Sequence, residues 1–209
     1  MDFTAERKAM VDSQVRVNDV TNHEIHLAMM ETPRESFCAP ERAFAAYSEE
    51  AVTIAGDRRL MPARDVAKLL QAAAPRAGET ALAIAAPYAA AVLARIGLKV
   101  TAQESDAAVF EVIGAALEAE GVQTVVAPLA QPSGQGLDLI VSEGGIADLP
   151  KTWGEALRTG GRMVLVERRG PIGKAALFIK GEQGLSRREL FDSSPAVLAE
   201  LTPAPTFSL

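Results

Sequence analysis

The sequence predicts an α/β fold: a mostly parallel, doubly wound sheet with antiparallel strands at its C-terminal end and a helical extension at its N-terminal end. Three observations carry that prediction. Residues 80–106, TALAIAAPYAAAVLARIGLKVTAQESD, read as strand, tight turn, helix, strand and acidic residue. Apolar runs and helical stretches then alternate as far as Val166, the pattern of a parallel sheet covered on both faces. Beyond Val166 no helix fits between the last two apolar runs, so those strands pair antiparallel.

The elements follow in order. Residues 5–17 suit a helix with Ala9, Met10 and Val15 apolar, and Thr21 to Glu24 reads as a capping box opening a second helix that stops before Pro33. Pro40 opens a short helix through Ala43, Ala46 and Tyr47. Gly56-Asp57-Arg58-Arg59 reads as a surface turn, and Pro62 opens a helix with Val66, Leu69, Leu70 and Ala73 on one stripe. Thr80–Ala85 is the first core strand. Pro87 suits a first helical position, having no N–H to lose, and Gly97 ends that helix. Leu98–Ala102 is the second strand, followed by Glu104, and Asp106 caps a helix closed by Gly121. Val122–Val126, Leu137–Val141 and Arg162–Val166 are three further strands, with a Pro- and Gly-rich loop over 128–136, a helix carrying Trp153 and a turn at Gly160-Gly161. Ala175–Ile179 and Arg187–Phe191 finish the sheet. The division expected is a helical extension over 1–78 packed on an α/β core over 79–209, compact overall.

Composition narrows the function classes. The chain has 209 residues, 48% hydrophobic and 23% charged, with a formal net charge of −6. An acidic balance argues against a nucleic-acid partner, which needs a basic face. No apolar run reaches the ~20 residues of a membrane span. The charged N-terminus lacks the apolar core of a signal peptide and Cys38 is the only cysteine, so a cytoplasmic location is expected. His23 and His26 lie three apart, but no third histidine or nearby cysteine accompanies them, and no metal site is expected. Cys38 reads as an inert thiol, and Glu118 and Glu120 as a solvated helix end.

The strand-turn-helix-strand unit at 80–106 is the opening of a nucleotide-binding arrangement. A carboxylate roughly 20 residues past the first strand is the usual partner of a ribose hydroxyl pair, and Glu104 lies 19 residues past Ala85. The turn itself, Ala85-Ala86-Pro87-Tyr88, contains no glycine. Each Cβ there takes space a ligand would use, and Pro87 removes an N–H that could bind an anion. Ser142-Glu143-Gly144-Gly145 follows a strand, where open α/β sheets place their ligands.

Several stretches together carry a resemblance: MVDSQVRVNDVTNHEIHLAMMETPRESF, AYSEE, the βαβ unit, LDLIVSEGG and GGRMVLVERR. Over nearly the whole chain the sequence resembles the protein-L-isoaspartate O-methyltransferase family. The resemblance implies a Rossmann-like, seven-stranded methyltransferase sheet with N-terminal helical additions. It implies S-adenosylmethionine as cofactor and a protein or peptide substrate whose isoaspartyl carboxylate is methylated, a reaction of protein repair. It places the cofactor turn at Ala85, Ala86, Pro87 and Tyr88, and the ribose acid at Glu104. Ala127, Pro128 and Leu129 flank the adenine, Val141, Ser142 and Glu143 lie beside the reacting methyl, and Leu60, Met61 and Pro62 belong to the substrate loop.

The departures from the family pattern all remove polar handles. The family turn is glycine-rich and about two residues longer, its acidic residue in the first strand is matched by Ala83, and a serine of the substrate loop by Leu60. An acid that the family places near Pro128 is absent. Transfer of a methyl group from a sulfonium to a carboxylate needs positioning and exclusion of water rather than a strong base, since a carboxyl near pKa 4 is already ionised. Lost ligand contacts matter more, at roughly 1.5–3 kcal/mol for each hydrogen bond to a charged group. The expectation is a family member with weakened or lost cofactor binding and activity. A non-catalytic scaffold of the same fold, with a cleft plugged by Leu60, Met61 or Tyr88, and a methyltransferase of different substrate are the alternatives.

Overall fold

The computed structural model describes residues 2–202. The first helix, α1 (Phe3–Met10), starts at Asp2, whose side chain accepts from the Thr4 and Ala5 amides. The helix expected over 5–17 is broken into pieces: a π-helical stretch over Val11–Val15 and a 3-10 turn over Arg16–Asn18 follow α1, and Asp19 at φ 62 ends the run. The second helix, α2 (His23–Glu31), corrects the capping box. Asn22 is the cap, accepting from the Glu24 and Ile25 amides at 2.8 and 3.3 Å. Thr21 is held elsewhere, its amide donating to Gln71 Oε1 at 2.6 Å. Asparagine caps at least as well as threonine, and one residue of offset suffices to swap their roles.

The expected turn at 56–59 is the tip of a two-stranded hairpin, β1 (Val52–Ala55) and β2 (Arg58–Leu60), with Gly56 at φ 53. Arg59 is exposed, as a surface turn requires, but Arg58 is buried beside Leu60 on the inward face. Period two in a strand dictates that pairing of faces. Pro62 then leads into α3 (Ala63–Ala73), whose buried stripe includes Val66, Leu69, Leu70 and Ala73.

The main sheet contains β3 (Thr80–Ile84), β4 (Lys99–Glu104), β5 (Gln123–Val126), β6 (Leu137–Ile146), β7 (Leu157–Glu167), β8 (Gly173–Gly181) and β9 (Gly184–Ser193). Their order is β5-β4-β3-β6-β7-β8-β9, parallel through β7 and antiparallel for the last two. Helices α4 (Pro87–Ile96), α5 (Ala107–Ala119) and α6 (Lys151–Ala156) connect them. Pro87 is the first residue of α4, and Gly97 closes it at φ 99. Asp106 caps α5 by accepting from the Ala108 amide at 2.9 Å.

Strands β6, β7, β8 and β9 all outrun their predicted lengths. β7 absorbs Gly160-Gly161, because a Cβ at Gly161 would meet the Leu137 carbonyl at 2.7 Å; the glycine marks close backbone approach rather than a reversal. β6 continues past Val141 through Ser142 and Glu143, with irregular register between Val141 and Gly145. Gly145 finds its partners in the C-terminal segment: its amide donates to Ala196 O at 2.8 Å and its carbonyl accepts from Leu198 N at 2.8 Å. The segment over 194–201 therefore straps the carboxyl end of the sheet, and Arg168 fastens it through the Ser194 and Pro195 carbonyls.

The core is continuous from the helical extension into the sheet. Met10, Val15, Ile25, Met29 and Phe37 share one buried cluster with Tyr88 and Leu93 of α4 and with Val141 of β6. No helix among the described residues is long and apolar enough to cross a membrane.

Candidate functional site

The strand order reverses direction between β3 and β6, since the chain runs outward from β3 to β5 and returns to the other side of β3. Ligands of open α/β sheets bind at the carboxyl end of such a switch point. The fold brings Ala85, Glu104, Ser142 and Glu143 to that end. It also brings two groups that the sequence did not signal, Arg58 of the hairpin and the C-terminal strap.

The turn after β3 is tight and closed. Ala85 adopts φ 49, the left-handed region that ordinarily falls to glycine, and its amide donates to the Gln103 carbonyl at 3.0 Å. A non-glycine residue there carries about 1–2 kcal/mol of strain. Ala85, Ala86, Pro87 and Tyr88 are all buried. Tyr88 packs edge-on against Phe37, with ring centroids 5.9 Å apart, and the Arg34 guanidinium lies over its ring at 4.6 Å from the centroid. Burial pushes the Tyr88 hydroxyl well above the ordinary phenol range.

Glu104, the expected ribose acid, already has a partner. Its Oε2 accepts from Arg58 Nε at 2.9 Å, and the two side chains are 2% and 6% exposed. Burial raises its pKa to about 7 against the opposing pull of Arg58, with Glu143 and Glu200 adding repulsion. Glu143 is likewise buried. Its Oε1 accepts from the Ala89 amide at 2.6 Å, so a carboxylate of the chain's own sits on the N-terminal amides of α4. Helix N-termini favour such an anion. Burial nevertheless lifts the Glu143 pKa to about 7, the Ala89 amide and the Arg34 charge acting in the opposite sense. Glu104 Oε1, Glu143 Oε2, Ser142 Oγ and the Tyr88 hydroxyl are buried and find no hydrogen-bond partner among the described residues.

The other expected positions are dispersed. Leu60 and Met61 are buried, and the Met61 carbonyl accepts from Arg34 Nη2 at 2.5 Å. Pro62 is half-buried. Pro128 is exposed with its carbonyl turned to Gln103 Nε2 at 2.8 Å, whereas Leu129 is buried and its carbonyl accepts from Trp153 Nε1 at 2.8 Å. Gln103 was not singled out by the sequence, yet it clips the loop after β5 through Pro128, Gln131 and Ser133. Between the hairpin, Glu143 and the strap a cavity of ≈ 20 Å³ remains, about the room of one water. A groove of ≈ 500 Å³ lies instead at the amino end of the strands, near Thr80, Lys99 and Gln123.

Comparison with known proteins decides the family. A protein-L-isoaspartate O-methyltransferase of Rhodopseudomonas palustris is 32% identical over 170 residues, covering 78% of this chain and 69% of the relative. This chain belongs to the protein-L-isoaspartate O-methyltransferase family. A relative in Methylorubrum extorquens is 30% identical over 202 residues, 93% of this chain and 87% of its own length. Among solved structures, a protein-L-isoaspartate O-methyltransferase superposes with a TM-score of 0.78 at 20% identity, over 94% of this chain and 67% of its own. A Plasmodium falciparum chain assigned to the same activity and crystallised with S-adenosyl-L-homocysteine gives a TM-score of 0.78 at 13% identity, over 93% of this chain and 98% of its own. These structures share the fold expected from the sequence. No family model matches the chain.

Against that family, the site residues in the described state do not fit a nucleoside donor. Arg58 is paired with Glu104, the acid expected to meet a ribose, and alanine and proline side chains line the turn that the family resemblance expects to be glycine-rich.

Proposed function

We propose that this family member has a weakened or lost capacity to bind S-adenosylmethionine and to methylate isoaspartyl carboxylates in proteins or peptides. The observation that carries the reading is the buried pair of Arg58 and Glu104. A donor nucleoside would have to break it, and each contact to a charged group so lost or replaced is worth roughly 1.5–3 kcal/mol. The glycine-free turn at Ala85 to Tyr88 and the carboxylate of Glu143 on the α4 amides support the same reading from the other end of the site. Burial of Leu60, Met61 and Tyr88 favours a second reading, a non-catalytic scaffold that keeps the fold and works through its surface.

Methyl transfer from radiolabelled S-adenosylmethionine to an isoaspartyl peptide, with the normal aspartyl peptide as control, tests the proposal. The expected result is little or no incorporation above the control. Sustained turnover at micromolar donor would overturn it. Nucleoside co-purifying with the protein, detected by mass spectrometry, would count against the scaffold reading.

A further inference from the structure

We infer that the β1–β2 hairpin is a latch over a latent nucleoside site, with Arg58 as its bolt. The inference rests on the weakened-site reading above and adds a cause that can be removed. Two side chains of the protein stand where the two ends of a charged nucleoside would go. Arg58 Nε donates to Glu104 Oε2 at 2.9 Å, in the place of hydroxyl donors from a ribose. Glu143 Oε1 accepts from the Ala89 amide at 2.6 Å, in the place of an anionic group at a helix N-terminus.

The closed state is held weakly for so buried an arrangement. A buried ion pair roughly breaks even between desolvation and attraction. Closure also leaves Glu104 Oε1, Glu143 Oε2 and Ser142 Oγ buried without hydrogen-bond partners among the described residues. Such orphans are costly, and vicinal hydroxyls are donors of the kind these acceptors lack. The bolt sits on a two-stranded hairpin whose strands pair with each other and not with the seven-stranded sheet. Its tip, Gly56-Asp57, is exposed, and the small cavity beside Glu143 is bounded by the same hairpin residues, Arg58 to Met61. Outward movement of this one element therefore uncovers Glu104 and enlarges that cavity together. A ligand that binds only the open form has its apparent affinity reduced by the fraction of protein that is open. Removing the bolt raises that fraction without touching the acid.

The experiment is titration calorimetry with S-adenosylhomocysteine on the wild-type chain, Arg58→Ala, Arg58→Ala with Glu104→Gln, and Arg76→Ala as a control on an exposed arginine outside the hairpin. The latch predicts that R58A binds on the order of tenfold more tightly than wild type or better. It also predicts that the gain is lost in the double variant and absent in R76A. A gain of less than about tenfold in R58A, or an equal gain in R76A, overturns the latch. Low-micromolar binding by the wild type would instead refute the weakened-site reading, so the two failures are told apart. Should R58A not fold, Arg58→Gln carries the same test, since its shorter amide cannot hold the pair.

Discussion

Arg58 and Glu104 are 46 residues apart in sequence and 2.9 Å apart in space, joined as a pair with almost no exposure to solvent. The pair ties the hairpin to the end of β4, and its energetics are asymmetric. Replacing both members by apolar groups is close to neutral, whereas removing one leaves a buried charge alone.

Glu104→Gln is therefore expected to destabilise the fold by about 3 kcal/mol, since Arg58 loses its counter-charge. Arg58→Met combined with E104Q is expected to recover most of that loss. Urea denaturation of the single and double variants checks both values through a double-mutant cycle.

Stability should depend on pH through the buried Glu143 carboxyl. Its folded-state value is about 7, above the ordinary 4.5. Between those values the folded chain holds more protons than the unfolded chain, so the unfolding free energy falls as pH rises. Its contribution is complete below about pH 4.5 and is lost by the time pH has passed about 7. Thermal melts across this window should show the decline, and Glu143→Gln should flatten part of it. An unchanged slope in the variant contradicts the burial of an ionisable Glu143.

The strap depends on Gly144. A Cβ there would meet Leu198 Cγ at 2.8 Å and Cδ2 at 2.9 Å. Gly144→Ala should cost about 1–3 kcal/mol, the range for an overpacked core, and Leu198→Ala in the same chain should relieve the clash. Additive losses in the double variant would show that the two residues do not meet.

Arg34 holds three parts of the chain together. Its Nε donates to the Ala46 carbonyl at 2.8 Å, its Nη2 donates to the Met61 carbonyl at 2.5 Å, and its plane lies over Tyr88. Lysine has neither the fork nor the flat face. Arg34→Lys should destabilise by about 2 kcal/mol, with two buried carbonyls and an aromatic face losing their donor. Chemical denaturation measures this directly.

The parts legible in sequence were those fixed by near neighbours. Pro87, Gly97, Asp106 and Gly121 punctuate α4 and α5 through their own backbone chemistry, so those boundaries fall where the residues place them. The antiparallel end of the sheet was legible because no helical stretch separates its last strands. Arg58 was not, since its burial depends on Glu104 across a long stretch of chain; the inward alternation with Leu60 was the only local signal. β6 runs on past its predicted end at Val141 because the strap of Ala196 to Leu198 pairs with Gly145, a partner that no neighbouring residue announces. Glu104 lies at the end of β4, and the residues around it carry no signal of its partner Arg58.

The central claim is that the chain's own groups stand in the donor site. Titration of the wild-type protein with S-adenosylmethionine tests it most directly. The account predicts a dissociation constant weaker than about 100 μM, as loss of two contacts to charged groups implies. Saturable binding at about 5 μM or tighter would contradict it.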